Sequence, residues 1–419
     1  MTTTSKIKTV WILQTGEPVF GDEDSTRPMR ALSLAAFFQS KGVKVRLITS
    51  RFYHQQKEMR IGNFYQKHDE QSELILIDSL GYTKNIGVRR LMDHCVLAWN
   101  LMRYFRSVHD IPDGIIVGYP PIETSFVAQI WAARLGIPFI LDVKDQWPHI
   151  FAQGLPKSLR WLSYLIFLPQ FFMGQYVMKR ADCLCSITPS FLKWSQTFGK
   201  RSNCPSDFVA PLVSHTEAKH EQGEKRSDFW QSAELDISST DKIISFVGSH
   251  SRAFDMKLVA EGLLGLGEDR SQILLVIAGS GECTERWRQI FKESGLRALF
   301  PGWLNTRQSD ELYSRSTAAL APYQLSSDFL ESLPNKILDA IAHGLPTIAS
   351  LGSEYKRVIE TYESGLQYRN RDDLTGCFRE ILDDQRLAQL KSNARQARDA
   401  FDSSQVMEKF LMRIDSKHV

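Results

Sequence analysis

Short apolar runs alternate with helical patterns along most of this chain, and that alternation limits the folds it can adopt. Strands separated by helices form parallel sheets that carry helices on both faces. The sequence therefore predicts an α/β protein. The predicted strands of the first half are 9–14, 43–50, 74–78, 114–118, 138–143 and 183–188. Those of the second half are 242–249, 272–281, a run near 298–303, 317–323 and 346–350.

A polar segment separates the two halves. Residues 214–241 show almost no periodicity, and the strand and helix patterns restart after them. The 419 residues also exceed what one ordinary core holds. We therefore expect two Rossmann-like domains facing a cleft, an amino-terminal one of residues 1–212 and a carboxyl-terminal one of residues 213–384. The charged amphipathic segment 385–419 is expected to form helices that pack back across the domains.

Composition excludes several classes of protein. Hydrophobic residues make up 43% of the chain and charged residues 24%, which is typical of a folded protein. The net charge of +3 and the lack of a basic block give no indication of nucleic-acid binding. The six cysteines are scattered without metal-binding spacing, so we expect reduced thiols and a cytoplasmic location.

One uncharged stretch raises the question of a membrane. Residues 161–178 carry no charge and are flanked by Lys157, Arg160, Lys179 and Arg180. A spanning helix needs about 20 apolar residues, and a proline, a glycine and two glutamines interrupt this one. The stretch can be a pair of buried helices, a patch that dips into the membrane surface, or a span. The interfacial patch, with 157–180 on the membrane, is the favoured interpretation.

Polar residues follow two strands of the first half. Gly16 lies in an acidic loop after the first strand, and the segment DVKDQWP (142–148) carries Asp142 and Asp145 where another strand ends. Ligands of open α/β sheets bind beyond the carboxyl ends of strands. The acids are therefore either a solvated loop or part of a site. The first turn has no G-x-G-x-x-G, which argues against a dinucleotide cofactor.

The second half places glycine turns after two of its strands. Gly248 follows one strand with Arg252 just beyond it, and Gly279 and Gly281 follow the next. Tight turns between a strand and a helix need glycine in any case, so each turn alone is weak evidence. Together they put backbone N–H groups and a cation at one edge of the sheet.

The segment ESLPNKILDAIAHGLP (331–346) predicts a short helix with charge at its start. Ser332 can cap it, with Leu333 and Pro334 in the first turn. Free N–H groups at a helix N-terminus suit a diphosphate, and Lys336 adds a cation. These features favour a helix that binds a nucleotide diphosphate over one that only packs in the core.

The two acids of this segment have different predicted roles. Asp339 lies one helical turn in, where it can accept hydrogen bonds from a ribose diol. Glu331 stays in the preceding loop, closer to the reacting end of a ligand.

The pattern resembles the E-x7-E element of retaining GT-B glycosyltransferases of family 4. Ala340, Ala342, Gly344 and Pro346 match the tail of that element. The second acid is Asp339 instead of glutamate, and the form S-x-P-N-K resembles a branch that builds bacterial surface polysaccharides.

The amino half supports the same resemblance. Residues 27–57 are similar to the branch's R-x-x-R and S-x-F-x-H-x-x-K opening, and DVKDQWP is similar to its DVRD-x-WP element. The resemblance covers nearly the whole chain.

The resemblance implies transfer of a sugar from a nucleotide-sugar with retained configuration, with no metal and no other cofactor. It places Gly302 and Trp303 beside the base, and Arg252 and Lys336 stand in for the family's usual cations. We expect the catalytic residues to be Glu331, Asp145 and Asp142. We expect the donor-binding residues to be Gly16, Gly248, Arg252, Gly279, Gly281, Gly302, Trp303, Ser332, Leu333, Asn335, Lys336 and Asp339.

The leading hypothesis is a hexosyl- or N-acetylhexosaminyl-transferase acting on a lipid-linked glycan in surface polysaccharide synthesis, such as O-antigen or capsule. It would lie on the inner face of the cytoplasmic membrane. Two alternatives remain, a nucleotide-sugar epimerase of the same fold and a non-catalytic partner that binds a sugar nucleotide.

Overall fold

The computed structural model describes residues 7–22, 29–84, 87–153, 160–202, 204–211, 242–324, 333–350, 352–401 and 403–416. The chain divides into two compact units. Unit 1 comprises residues 1–211 together with 404–419, and unit 2 comprises residues 212–403. Each unit is a sheet of mainly parallel strands with helices between them, so the predicted α/β fold with Rossmann-like domains is confirmed.

Unit 1 is built on an eight-stranded sheet. Its strands are β1 (Thr9–Leu13), β2 (Lys44–Ser50), β5 (Tyr65–Lys67), β6 (Ser72–Ile77), β7 (Gly114–Tyr119), β8 (Phe139–Val143), β9 (Cys183–Ser186) and β10 (Phe208–Val209), and a separate hairpin holds β3 (Phe52–Tyr53) and β4 (Glu58–Met59). Its helices are α1 (Arg30–Ser40), α2 (Val88–Ser107), α3 (Ile122–Leu135), α4 (His149–Gln153), α5 (Arg160–Ile166), α6 (Leu168–Arg180) and α7 (Pro189–Phe198).

The strand order in this sheet is β10-β9-β8-β7-β1-β2-β6-β5, and only β5 runs antiparallel to its neighbour. The central strands β7 and β8 are buried along their whole length, and β1 is buried after its first residue, because helices cover both faces of the sheet. The order reverses between β1 and β7, so the loops after these two strands diverge and leave a crevice at the carboxyl edge.

Unit 2 carries a six-stranded sheet that is parallel throughout. Its strands are β11 (Lys242–Val247), β12 (Ile273–Ala278), β13 (Ala298–Gly302), β14 (Ala318–Ala321), β15 (Thr347–Ala349) and β16 (Gly365–Gln367). Its helices are α8 (Met256–Leu264), a 3₁₀ helix (Gly267–Gln272), α9 (Thr284–Glu293), α10 (Thr306–Arg315), α11 (Asn335–Ala342), α12 (Ser353–Tyr362), α13 (Arg371–Leu382) and α14 (Asp384–Ala400).

The order β13-β12-β11-β14-β15-β16 is that of a Rossmann fold, with its reversal between β11 and β14. The carboxyl ends of all six strands meet at one edge. The predicted turns after β11 and β12 therefore lie side by side.

The charged segment after residue 384 forms two helices in different units. Helix α14 lies in unit 2, where Asp384 pairs with Lys242 at 2.5 Å. The last helix, α15 (Ser403–Asp415), packs on unit 1. Its Phe410 ring lies 5.1 Å from the Phe208 ring, and Ile414 lies so close to Gly114 that a Cβ there would overlap it.

Helices α5 and α6 occupy the uncharged stretch and expose much of it. Trp161 is 61% exposed, Leu165 60% and Phe172 65%. The interpretation of 161–178 as a wholly buried helix pair is therefore wrong for these side chains. None of the helices in the part of the chain that the structure describes has the length and apolar character that a membrane span requires.

Candidate functional site

The glycine turns of unit 2 meet at the carboxyl edge of its sheet. The Gly248 N–H donates to the Ala278 carbonyl at 3.0 Å, and the Gly279 N–H donates to the Gly302 carbonyl at 2.6 Å. These bonds join the ends of β11, β12 and β13. Three of the predicted ligand-binding turns are thus brought together.

Two of these positions require glycine because other atoms lie too close for a Cβ. Gly279 has φ of +124°, and a Cβ on it would overlap the Gly248 carbonyl oxygen. Gly248 has φ of +143°, and a Cβ on it would overlap the Lys336 ammonium. Any side chain here would separate the turns or displace the lysine.

Lys336 extends from the first turn of α11 into this cluster. Its ammonium donates to the Val247 carbonyl and lies 4.3 Å from the Phe246 ring centroid and 4.9 Å from that of Phe254. Burial lowers its pKa to about 8, and nearby Asp339 acts in the opposite direction. A buried ammonium at the carboxyl edge of a sheet is a candidate to bind an anion, because hydrogen bonds between charged groups are stronger than those between neutral ones.

The lowered pKa predicts how stability depends on pH. Between about pH 8 and 10.5 the folded Lys336 is neutral while the unfolded one is still charged, so the unfolded state binds more protons and the free energy of unfolding should rise with pH. Chemical denaturation at pH 7.5 and 9.5 measures this. Lys336→Met should lack the rise, and an equal rise in that variant would contradict the assignment.

Helix α11 begins two residues later than predicted. Pro334 is the N-cap residue and Asn335 the first helical residue. The N–H groups left at the start of the helix belong to Asn335 and Lys336, because the Ile337 N–H bonds to the Pro334 carbonyl. Ser332 and the predicted catalytic Glu331 lie outside the described residues, and Leu333 immediately follows them.

Arg252 and Trp303 lie at the surface of this edge. Arg252 is 86% exposed and contacts Glu282 at 3.5 Å. Trp303 is 75% exposed and follows Gly302, which has φ of +84°. Arg252 is therefore a weaker candidate than Lys336 for a strong charge-assisted contact.

His250 is a site residue that the sequence reasoning missed. It is fully buried, its N–H donates to the Ser280 carbonyl at 2.9 Å, and its Nδ1 lies 2.8 Å from the Thr284 hydroxyl. It thereby joins the turn after β11 to the turn after β12. The nearby glycines gave no indication of this role, since it depends on tertiary packing.

Unit 1 has a cavity of about 340 Å³ at the crevice between β1 and β7. Its lining comes from loops that follow β1, β2, β6, β7 and β8, and from α2. Gly16 and Asp145 line it as predicted site residues, and it also contains His54, Tyr82, Arg90, His94 and Lys144. Arg90 and His94 on α2 were missed because no motif surrounds them.

Asp145 combines hydrogen bonds with burial. Its carboxylate accepts from the Gln146 N–H at 2.8 Å and from the Trp147 indole N–H at 3.0 Å. Burial raises its pKa, while these bonds and Arg90 act in the opposite direction. A carboxylate held in this way can position a sugar hydroxyl.

Asp142 lies deeper, away from the cavity wall. It is buried and pairs with the Arg30 Nε at 3.2 Å and the Lys144 Nζ at 3.3 Å. Lys144 also bonds Glu17, whose carboxylate accepts the Ala31 N–H at 2.9 Å at the start of α1. This network favours a structural role for Asp142 over direct contact with a substrate.

Comparison with known proteins agrees with the fold. Residues 229–397 match the family described as glycosyl transferases group 1. No curated protein sequence is significantly similar to the chain.

Several solved protein structures resemble nearly the whole chain. Sucrose-phosphate synthase from Thermosynechococcus elongatus has a TM-score of 0.66 at 14% identity, covering 96% of this chain and 97% of its own. WaaG, a glycosyltransferase involved in lipopolysaccharide biosynthesis, has 0.61 at 16% identity, covering 96% and 98%. Anabaena HepE in complex with UDP has 0.60 at 13% identity, covering 98% and 100%.

These matches support a glycosyltransferase of the GT-B fold. The matched family segment spans the described part of unit 2 from β11 to α14, which contains the glycine turns and Lys336.

Proposed function

We propose that the protein is a retaining glycosyltransferase that moves a sugar from a nucleotide-diphosphate donor to a lipid-linked glycan acceptor in the synthesis of a bacterial surface polysaccharide. No metal or other cofactor is part of the proposal. The observation that carries it is the buried Lys336 ammonium between the Gly248 turn and the start of α11.

That arrangement fits a diphosphate. Lys336 and the N–H groups of α11 can bind phosphate oxygens, and the glycines let those oxygens approach the backbone. Asp339, one turn further along α11, would bind the ribose. HepE, a structural neighbour, has been crystallised with UDP-glucose, which supports a nucleotide-sugar as the donor class.

The reaction needs no protein base in this proposal. The acceptor hydroxyl attacks the anomeric carbon from the face that the diphosphate leaves, and the departing phosphate oxygen takes the hydroxyl proton. The protein positions both substrates and stabilises the charge on the leaving group. Glu331 would lie near the donor sugar and Asp145 near the acceptor.

Incubation with UDP-, GDP- and dTDP-sugars tests this function. Slow release of free nucleoside diphosphate and sugar supports a transferase. An isomerised donor sugar would indicate an epimerase, and binding without turnover would indicate a non-catalytic partner.

We also propose that the exposed apolar face of α5 and α6 lies on the inner surface of the cytoplasmic membrane. The exposed side chains at 161–172 are apolar, and Lys179 and Arg180 follow at the end of α6. Apolar side chains flanked by cations suit the boundary of an anionic bilayer.

Replacing Trp161, Leu165 and Phe172 with serine tests the membrane proposal. These side chains are exposed, so the free energy of unfolding of the triple variant should lie within about 1 kcal/mol of the wild-type value. It should no longer sediment with anionic liposomes. Phe171→Ser is the matched control for folding. The Phe171 ring stacks on that of Tyr164 with centroids 4.8 Å apart, so its replacement by serine should destabilise unit 1. Unchanged sedimentation of the triple variant would contradict the proposal.

A further inference from the structure

Two of the six cysteines contact the same serine at one edge of the unit 1 sheet. Cys183 is the first residue of β9, and its Sγ donates to the Ser206 carbonyl at 2.7 Å. The Cys204 Sγ lies 3.0 Å from the Ser206 hydroxyl oxygen. The register of the parallel strands β9 and β10, which pairs Cys185 with Phe208, likewise places Cys183 beside Ser206. The two sulfur atoms are therefore close neighbours in the fold.

The turn that carries Cys204 is held against β9. The Asp207 N–H closes this turn by donating to the Cys204 carbonyl at 2.9 Å. The Asp207 carboxylate accepts the Leu184 N–H of β9 at 2.9 Å and pairs with Arg201 at 2.8 Å. The carboxylate side chain is 1% exposed, so solvent does not compete for these bonds. They keep Cys204 near the strand that contains Cys183.

Cys204 combines access to solvent with donors that stabilise a thiolate. It is half-buried, whereas Cys183 is buried. The Ser206 hydroxyl hydrogen can serve the Asp182 carbonyl, 2.9 Å away, or the Cys204 sulfur. Hydrogen bonds from the Ser206 hydroxyl and backbone N–H lower the pKa of Cys204, and the Arg201 charge acts in the same direction. Because the thiolate is the reactive form of cysteine, Cys204 is a nucleophile that small oxidants can reach.

The other cysteines do not combine these features. Cys95 is exposed, but burial of its sulfur and the Glu123 charge raise its pKa. It therefore carries less thiolate than Cys204 at neutral pH. The remaining three are buried, namely Cys185, Cys283 and Cys377.

The thiol pair borders both places where the chain passes between its units. Unit 1 ends its first segment at Pro211 and resumes at Ser404. Between Cys204 and Ser206, the Pro205 carbonyl accepts a hydrogen bond from Arg413 of α15 at 3.1 Å. A covalent change at Cys204 therefore affects a turn that anchors α15.

We propose that Cys204 is oxidised by peroxides and that Cys183 then joins it in a disulfide. The Cys204 thiolate attacks a peroxide oxygen, the O–O bond breaks, and the departing hydroxide takes a proton from solvent to form water. The Cys183 sulfur then attacks the resulting sulfenic acid, the S–O bond breaks, and hydroxide leaves with the Cys183 proton as a second water. The two thiols lose two electrons, which reduce the peroxide.

The disulfide replaces the hydrogen bond from Cys183 to Ser206 and ties β9 to the turn that anchors α15. Disulfides of proteins in a reducing compartment are mostly transient and redox-sensing, which suits a bond that reductants reverse. This inference goes beyond the proposed function and is independent of it.

Treatment of the reduced full chain with hydrogen peroxide, followed by alkylation and mass spectrometry, tests the proposal. The intact mass should fall by about 2 Da, the mass of the two hydrogen atoms lost. A peptide map without reductant should join the Cys183 and Cys204 peptides, and dithiothreitol should restore both thiols. Sulfenic acid without a disulfide, a disulfide between other cysteines, or one that links two chains would overturn it.

Single variants separate the roles of the two sulfurs. Cys204→Ser should form no disulfide, and Cys183→Ala should stop at the sulfenic acid, which dimedone traps. Cys95→Ser is the control for an exposed thiol and should oxidise as the wild type does. If Cys183→Ala folds poorly, Cys204→Ser decides, because its side chain is only half-buried. Loss of about 2 Da from Cys204→Ser would contradict the assignment.

The rate of alkylation tests the reactivity of Cys204 without an oxidant. In the reduced chain at neutral pH, iodoacetamide should modify Cys204 at least about threefold faster than Cys95. Equal rates, or a faster reaction at Cys95, would overturn the assignment of Cys204 as the reactive thiol.

Amide hydrogen exchange over α15 tests the consequence for the fold. The peroxide-treated chain should exchange these amides more slowly than the reduced chain, because the disulfide holds the turn that Arg413 binds. Dithiothreitol should reverse the difference. Unchanged or faster exchange after oxidation would overturn the link between the thiol pair and α15.

Discussion

Replacing Gly279 with alanine is expected to destabilise unit 2 by about 2–5 kcal/mol and to abolish nucleotide diphosphate binding. The φ of +124° is strained for any residue with a side chain, and the new Cβ would overlap the Gly248 carbonyl. A backbone oxygen cannot rotate away as a side chain can, so the turns after β11 and β12 must separate. Thermal unfolding and calorimetric titration with nucleoside diphosphates measure the two effects.

Gly295→Ala is the matched control. Gly295 also has positive φ, at +60°, but nothing lies within 4 Å of its would-be Cβ. This variant should lose only about 1 kcal/mol and bind nucleotides as the wild type does. Similar losses of stability and binding in both variants would mean that backbone strain alone, without the overlap, explains the first result.

Replacing Lys336 with methionine is expected to change stability and binding in opposite directions. Burial lowers the lysine pKa from 10.5 to about 8, which corresponds to about 3 kcal/mol of unfavourable burial of the charge. Replacement by methionine removes this unfavourable term, but it also removes the hydrogen bond to the Val247 carbonyl, which costs about 1–2 kcal/mol. The ligand-free variant should therefore be more stable by about 1–2 kcal/mol. Its affinity for the nucleoside diphosphate should fall by about 1.5–3 kcal/mol, with nucleoside affinity unchanged.

Arg252→Met is the comparison for this variant. Arg252 is largely exposed and beside Glu282, so its loss should weaken diphosphate binding less than about fivefold. A larger loss in the arginine variant than in the lysine variant would reverse the assignment of the main phosphate-binding cation.

The sheets could be predicted because their central strands are buried on both faces. Such strands are apolar along their length, as ILLVIA at Ile273–Ala278 is, and they stand out between helical patterns. The short pairings β3–β4, β5, β10 and β16 were missed, since two or three residues are too few to show a period. The turns of the unit 2 site could be predicted because Gly248 and Gly279 directly follow apolar strands. Glycine is required at both positions, since a Cβ there would overlap neighbouring atoms.

Other site residues depend on tertiary structure. The pairing of Asp142 with Arg30 joins the end of β8 to the start of α1, and nothing local in DVKDQWP distinguishes a buried ion pair from a substrate contact. Arg90 reaches the cavity from a helix whose sequence carries no motif.

The proposed reaction is sugar transfer with retention from a nucleotide-sugar bound in unit 2. Its most direct test is proton NMR of the wild type and Lys336→Met with UDP-, GDP- and dTDP-sugars and an acceptor sugar linked to a short prenyl diphosphate. We expect the wild type to consume one donor, release its nucleoside diphosphate and form a glycoside with the donor's anomeric configuration, and the variant to do so far more slowly. An inverted product, a donor epimer without transfer, or equal rates in both proteins would contradict it.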